Sequence, residues 1–152
     1  MNYSLDPIDD SPLGKERAKH LLNRTLLGYS RGILDYFAQL TINEALDILL
    51  ETGTLPGLPL QVFGDDPNVA FGETWVNATP DSAIRSERKK SLRSWWIGLM
   101  LNQEPNLREK MGLFWHNHFA TEIDVVNIPA YYYQYLSLIR EYSLGNFKAL
   151  AG

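Results

Sequence analysis

Two histidines stand two positions apart in the aromatic stretch Phe114-Trp115-His116-Asn117-His118-Phe119. A neutral imidazole is a common metal ligand and a general base near neutral pH. His116 and His118 are therefore the candidate catalytic residues, and the candidate ligands of a divalent transition metal. Glu109 is the candidate carboxylate beside them, with Glu122 and Asp124 also near in sequence. Helix geometry opposes a shared ion. At about 100° per residue, two side chains at i and i+2 project roughly 160° apart. Zinc-binding helices use histidines at i and i+4, so one metal takes both imidazoles only if the helix breaks before His118. The same wheel groups Leu107, Met111, Phe114, Trp115 and His118 on one apolar stripe. His118 is expected on the core side, as a hydrogen-bonded structural residue or as a functional one. His116 is expected opposite, towards solvent or a neighbouring segment.

Other clusters invite functional readings. Arg85, Arg88, Lys89, Lys90 and Arg93 crowd one short stretch, with Glu87 opposing them. Basic runs dock phosphates, but this one opens a helix, where positive charge opposes the macrodipole. Its first turns either leave the core or meet acidic groups elsewhere in the molecule. The formal net charge of -4 argues against a general nucleic-acid binder. Tyr131-Tyr132-Tyr133-Gln134-Tyr135 resembles a stacking platform. Helical spacing instead puts Tyr131, Tyr135, Leu138 and Tyr142 on one packed stripe, with Tyr132 and Tyr133 pointing away. Trp96 is expected inward, with Trp95 at the edge of its stripe. There is no Gly-rich phosphate loop, nucleophile elbow or zincin helix. Cysteine is absent, which excludes disulfides, thiolate metal sites and cysteine nucleophiles.

The elements that must position these groups read as helices. The first is expected over 13–27, with Ala18, Leu21, Leu22 and Thr25 on one face and Arg17, His20 and Arg24 on another. A short helix is expected over 32–39. Thr41 and Glu44 form a capping box that opens a helix with Ile42, Leu46, Leu49 and Leu50 inward. Residues 53–81 hold four glycines and four prolines among 29 residues, a density that excludes helix. This long loop also carries Leu55, Leu58, Leu60, Val62, Phe63, Phe71 and Trp75. It is either packed on the protein or a mobile, partner-binding segment. Helices resume over 82–103, to about 119, and over 129–142, with a last short piece from Asn146. Short strand candidates are 61–63 and 123–126. The fold class is all-α, an irregular bundle of five to seven helices with one long Gly/Pro-rich loop.

Whole-chain numbers fit this class. The chain has 152 residues, 45% hydrophobic and 21% charged, enough for a core without staples. No apolar run spans a bilayer. Residues 1–12 read as a solvated lead-in with no sorting signal, which gives a cytoplasmic expectation.

The stretch from Leu107 to Thr121, with Trp115-His116-Asn117-His118-Phe119 at its centre, closely resembles the signature of a bacterial family, the domain of unknown function 1800 family. Ala18-Lys19-His20-Leu21-Leu22-Asn23-Arg24 with Gly28 resembles its opening helix, and Leu144-Gly145-Asn146-Phe147 its next landmark. Leu27 stands where the family usually has phenylalanine. The resemblance runs from about Ala18 onward. It implies that 13–152 is the N-terminal part of a larger domain, since family members are longer and carry further polar motifs. It implies an exposed apolar patch towards the C-terminal end, through which the chain would self-associate. Members are often exported and often encoded beside a sulfatase-like family, which implies a sulfatase-like partner. Two functions follow as expectations: a histidine-dependent or metal-dependent enzyme, or a non-catalytic binding or scaffold module acting with a partner.

Overall fold

The computed structural model describes residues 10–51, 53 and 55–151. Residues 1–9 of the expected lead-in lie outside the described residues; Asp10, Ser11 and Pro12 are exposed. Among the described residues eight helices form: α1 (Gly14–Thr25), α2 (Arg31–Phe37), α3 (Ile42–Leu50), α4 (Arg85–Leu101), α5 (Arg108–Phe119), α6 (Ile123–Val126), α7 (Pro129–Glu141) and α8 (Phe147–Ala151). The single β contact among the described residues is a bridge between Leu60 and Thr74. The fold is all-α, and among the described residues no helix is long and apolar enough to cross a membrane.

Helices α1 to α3 enclose a first core of Leu13, Ala18, Leu22, Leu26, Phe37, Ala45 and Leu49. Burying each large side chain of this set stabilises the fold by about 1.5–3 kcal/mol. The first amides of α1 lack partners within their own helix. The end of α2 supplies them, as Leu13 N donates to Leu40 O at 2.8 Å and Gly14 N to Ala38 O at 3.0 Å. Ser30 caps α2 through Ile33 N. The capping box at α3 is formed, with Thr41 N donating to the Glu44 carboxylate at 2.8 Å and Glu44 N to Thr41 Oγ1 at 3.3 Å. The inward face of α3 is Ala45 and Leu49, whereas Leu46 and Leu50 are exposed. The small Ala45 sits where close packing against the first core needs it.

Helices α4 to α7 build a second core around Trp75, Leu92, Tyr132 and Leu136. Trp75 comes from the long loop and ties it to this core, whereas Leu55, Leu58, Leu60, Val62, Phe63 and Phe71 of the same loop are exposed. Its indole Nε1 donates to Ser91 Oγ at 2.9 Å, and Ser91 Oγ donates to Leu60 O at 2.5 Å. Gln61 N donates to Glu73 O at 2.7 Å and Gly72 N to Gln61 O at 2.8 Å, which folds the loop back on itself. This turn uses 61–63 for loop bonding instead of a strand. Residues 123–126 form the one-turn helix α6, stopped by Asn127 in the left-handed region at φ 63°.

The helices of the two cores pack mostly among themselves. Polar contacts cross the seam. Leu107 N donates to Leu49 O at 2.8 Å, Lys110 Nζ to Leu26 O at 3.2 Å, and Gln103 Nε2 to Gly28 O at 3.4 Å.

Candidate functional site

Helix α5 carries the histidine motif, and it packs in the opposite sense to its apolar pattern. Its buried residues are Arg108, Glu109 and Gly112. His116 continues this i, i+4, i+8 row and is half-buried, whereas His118 is exposed, as are Phe114 and Phe119. His118, expected on the core side, faces out, and His116 faces the neighbouring helices, one of the two directions expected for it. The reason lies in α7. Its inward row is Pro129, Tyr132, Leu136 and Ile139, with Tyr131 and Leu138 exposed. The expected tyrosine stripe is reversed too. Arg140 follows on this inward side and needs an anionic partner, which the polar row of α5 provides.

His116 lies in an aromatic box. Trp96 meets it edge-on with ring centroids 4.8 Å apart, and Tyr135 and Tyr132 stand at 6.0 and 6.2 Å. Its Nδ1 is 3.4 Å from the Tyr135 hydroxyl, a long contact. Burial lowers the pKa of His116, so the neutral ring is favoured. Burial also pushes Tyr132 up to about 12, and its hydroxyl donates to Thr121 O at 3.0 Å. His118 sits on the outer side, stacked on Phe114 at 6.3 Å and edge-on to Trp115 at 5.8 Å. Trp115 in turn stacks on Phe147 of α8 at 5.4 Å, giving one continuous outer aromatic face. His20 is exposed on α1, beside the other core. The three histidines do not converge. Among the described residues no group of three or more His, Asp or Glu side chains gathers as a metal-ligand set, so the residues present do not fit the candidate metal.

Glu109 has a different setting. Its Oε1 accepts from Arg140 Nε at 2.7 Å, with side chains 5% and 16% exposed respectively. The pair opens onto a cleft of about 450 Å³ between the 53–58 loop, the second half of α4, the start of α5 and Arg140 of α7. Arg108 lines the same cleft; burial, then the charge of Arg140, lowers its pKa, against the carboxylates of Glu109 and Glu104. Trp95 forms another wall, and its Nε1 donates to Gly57 O at 2.6 Å, tying the loop to α4. Gly53 shapes the mouth at φ 54°, and a Cβ there would meet the Glu104 carboxylate at 2.8 Å. Neither histidine of the motif lines this cleft. Sequence reasoning named Glu109 but missed Arg108 and Arg140. The signal was available: Tyr132, Leu136 and Arg140 repeat at i, i+4, i+8, as do Arg108, Gly112 and His116.

Three of the five residues of the basic run, Arg88, Lys89 and Arg93, pair with acids elsewhere in the molecule. Arg88 Nε donates to Asp66 Oδ2 at 2.8 Å, with both side chains buried. Lys89 and Arg93 both reach Asp124, at 2.9 and 3.2 Å. These are the acidic groups elsewhere in the molecule that the charge pattern requires.

Comparison with known proteins gives one family. The model of a family described as protein of unknown function (DUF1800) matches residues 20–152. No curated protein and no solved structure matches the chain.

Proposed function

The chain belongs to the DUF1800 family, and from that premise we propose that it is a binding module whose ligand site is the cleft of Arg108, Glu109 and Arg140. One observation carries the reading. Arg108 and the buried Glu109–Arg140 pair line one open cavity together with the polar side chains of Asn102, Gln103, Glu104 and Asn106, whereas His116 and His118 leave α5 on different sides. A pocket of about 300–1,000 Å³ with a mixed polar and apolar lining is the usual form of a small-molecule site. The test is an amide chemical-shift screen of the 152-residue chain against small acids, amines and sugars. Saturable shifts clustered at Gly57, Gly98 and the Trp95 indole are the expected result. Saturable shifts confined to residues outside this cleft would overturn the reading.

A second reading, a histidine-dependent enzyme, is favoured by His116 itself. A half-buried neutral imidazole beside a tyrosine hydroxyl can act as a proton acceptor. Under that reading H116Q abolishes turnover without lowering the melting temperature. Under the binding reading H116Q acts through stability alone and leaves the cleft signals in place. The sulfatase-like partner implied by the family stays a proposal for co-elution experiments, for which the outer aromatic face of Phe114, His118, Phe119 and Phe147 is the supporting feature.

A further inference from the structure

Arg140 reaches the cleft with one donor engaged. Its Nε serves Glu109, and among the described residues its side chain has no other partner. A guanidinium carries five N–H donors in a planar fork. No Nη atom of Arg140 is both buried and unpartnered, so its remaining donors are accessible to solvent, and Arg140 is part of the cleft wall. Arg108 lines the same wall. Two guanidiniums therefore flank one buried carboxylate, while the second acid, Glu104, lies exposed at the rim. The facing wall is apolar, formed by Pro56, Leu58, Trp95 and Leu99. A pair that served only to tie α5 to α7 would need one guanidinium and no opening beside it.

We propose that this cleft takes a small oxyanion with a short apolar body, its charged head on the open fork of Arg140 and its body against Trp95 and Leu58. The inference rests on the binding-module reading and names its ligand class. A carboxylate or a phosphate accepts two parallel N–H bonds from one guanidinium, the strongest pairing that fork can make. In a partly dehydrated cleft that pairing is worth more than in water. An amine cannot accept from the fork of Arg140, and a neutral sugar makes no charge-assisted pair with it.

The experiment titrates the wild-type chain with butanoate, inorganic phosphate, butylamine and glucose, following arginine side-chain N–H signals and the Trp95 indole by nuclear magnetic resonance. Butanoate or phosphate is expected to give saturable shifts at these groups. Tighter butanoate identifies a free carboxylate, and tighter phosphate a phosphoryl head. R140K keeps the charge but loses the fork, and is expected to weaken the oxyanion by about tenfold or more while the melting temperature changes little. Unaltered affinity in R140K overturns the proposal. Should R140K fail to fold, wild-type arginine signals that stay fixed at saturating butanoate and phosphate overturn it equally. Saturation by glucose or butylamine with inert oxyanions defeats the ligand class and leaves the binding site standing. If no probe moves the cleft signals, both fall.

Discussion

At the scale of single residues, environment decides what each ionisable group does. Burial in the Trp96, Tyr132 and Tyr135 box lowers the pKa of His116. A group with a depressed folded-state pKa adds stability above its unfolded value, and that stability is lost as pH falls through the folded one. For histidine the loss begins near about pH 6.5. The melting temperature is therefore expected to fall below that point, and H116F, which keeps a ring in the box, removes this part of the fall. Melts taken from about pH 8 to about pH 5 check it, and a pH-independent gap between the two proteins would refute it. Asp66 obeys the same sign. Burial raises its pKa, but the hydrogen bonds from Arg88 and from Asn68 N, and the charge of Arg88, outweigh burial and lower it. Its contribution is complete above the ordinary carboxylate value of about 4 and is lost on acidification below it. Removing one partner of such a buried pair costs about 3–5 kcal/mol. D66N should show that loss at neutral pH in urea unfolding, together with a shallower decline in acid.

At the scale of elements, the long loop behaves as part of the core because of one side chain. Trp75 is fully buried and hydrogen-bonded to Ser91 of α4. W75A removes that ring and should cost about 3–5 kcal/mol. Limited proteolysis should then cut within 55–80, where the wild-type chain resists; unchanged resistance in W75A would place the anchor elsewhere. Much of this level was legible in the sequence. Thr41 and Glu44 announced the start of α3 because a capping box is a local device. The facing of α5 and α7 was not legible. A helical wheel assumes that apolar rows turn inward, yet here Glu109 and Arg140 pair across the two helices while Phe114 and Tyr131 face out. The i, i+4, i+8 rows through Arg108 and through Arg140 were visible in each helix, but nothing in either row tells that Glu109 and Arg140, 31 residues apart, meet. The site shared that fate: Glu109 was visible as a carboxylate near the motif, but its partner lay on another element.

At the scale of the whole molecule, two cores meet along a polar seam. Native-state hydrogen exchange should resolve them as separate opening units. L22A, which hollows the first core, is expected to speed exchange in α1 to α3 far more than in α4 to α7; equal acceleration would show a single cooperative unit. The outer aromatic face has its own consequence. Phe114 is 53% exposed and Phe147 52% exposed, and contiguous apolar surface of this kind favours association. Sedimentation coefficients should rise with concentration in the wild-type chain and less so in F114S/F147S; identical behaviour would make the face inert. The seam also bears on time. Every member of the first core lies between Leu13 and Leu49, so that cluster is complete before Trp75 has been translated. A cluster smaller than about 40 residues seldom holds by itself. On the ribosome it must wait as a provisional fold until Leu107 and Lys110 emerge to latch Leu49 and Leu26. Synthesis thus proceeds through a pause in stability, and the residues that end it are the opening turn of the same helix that carries the histidines.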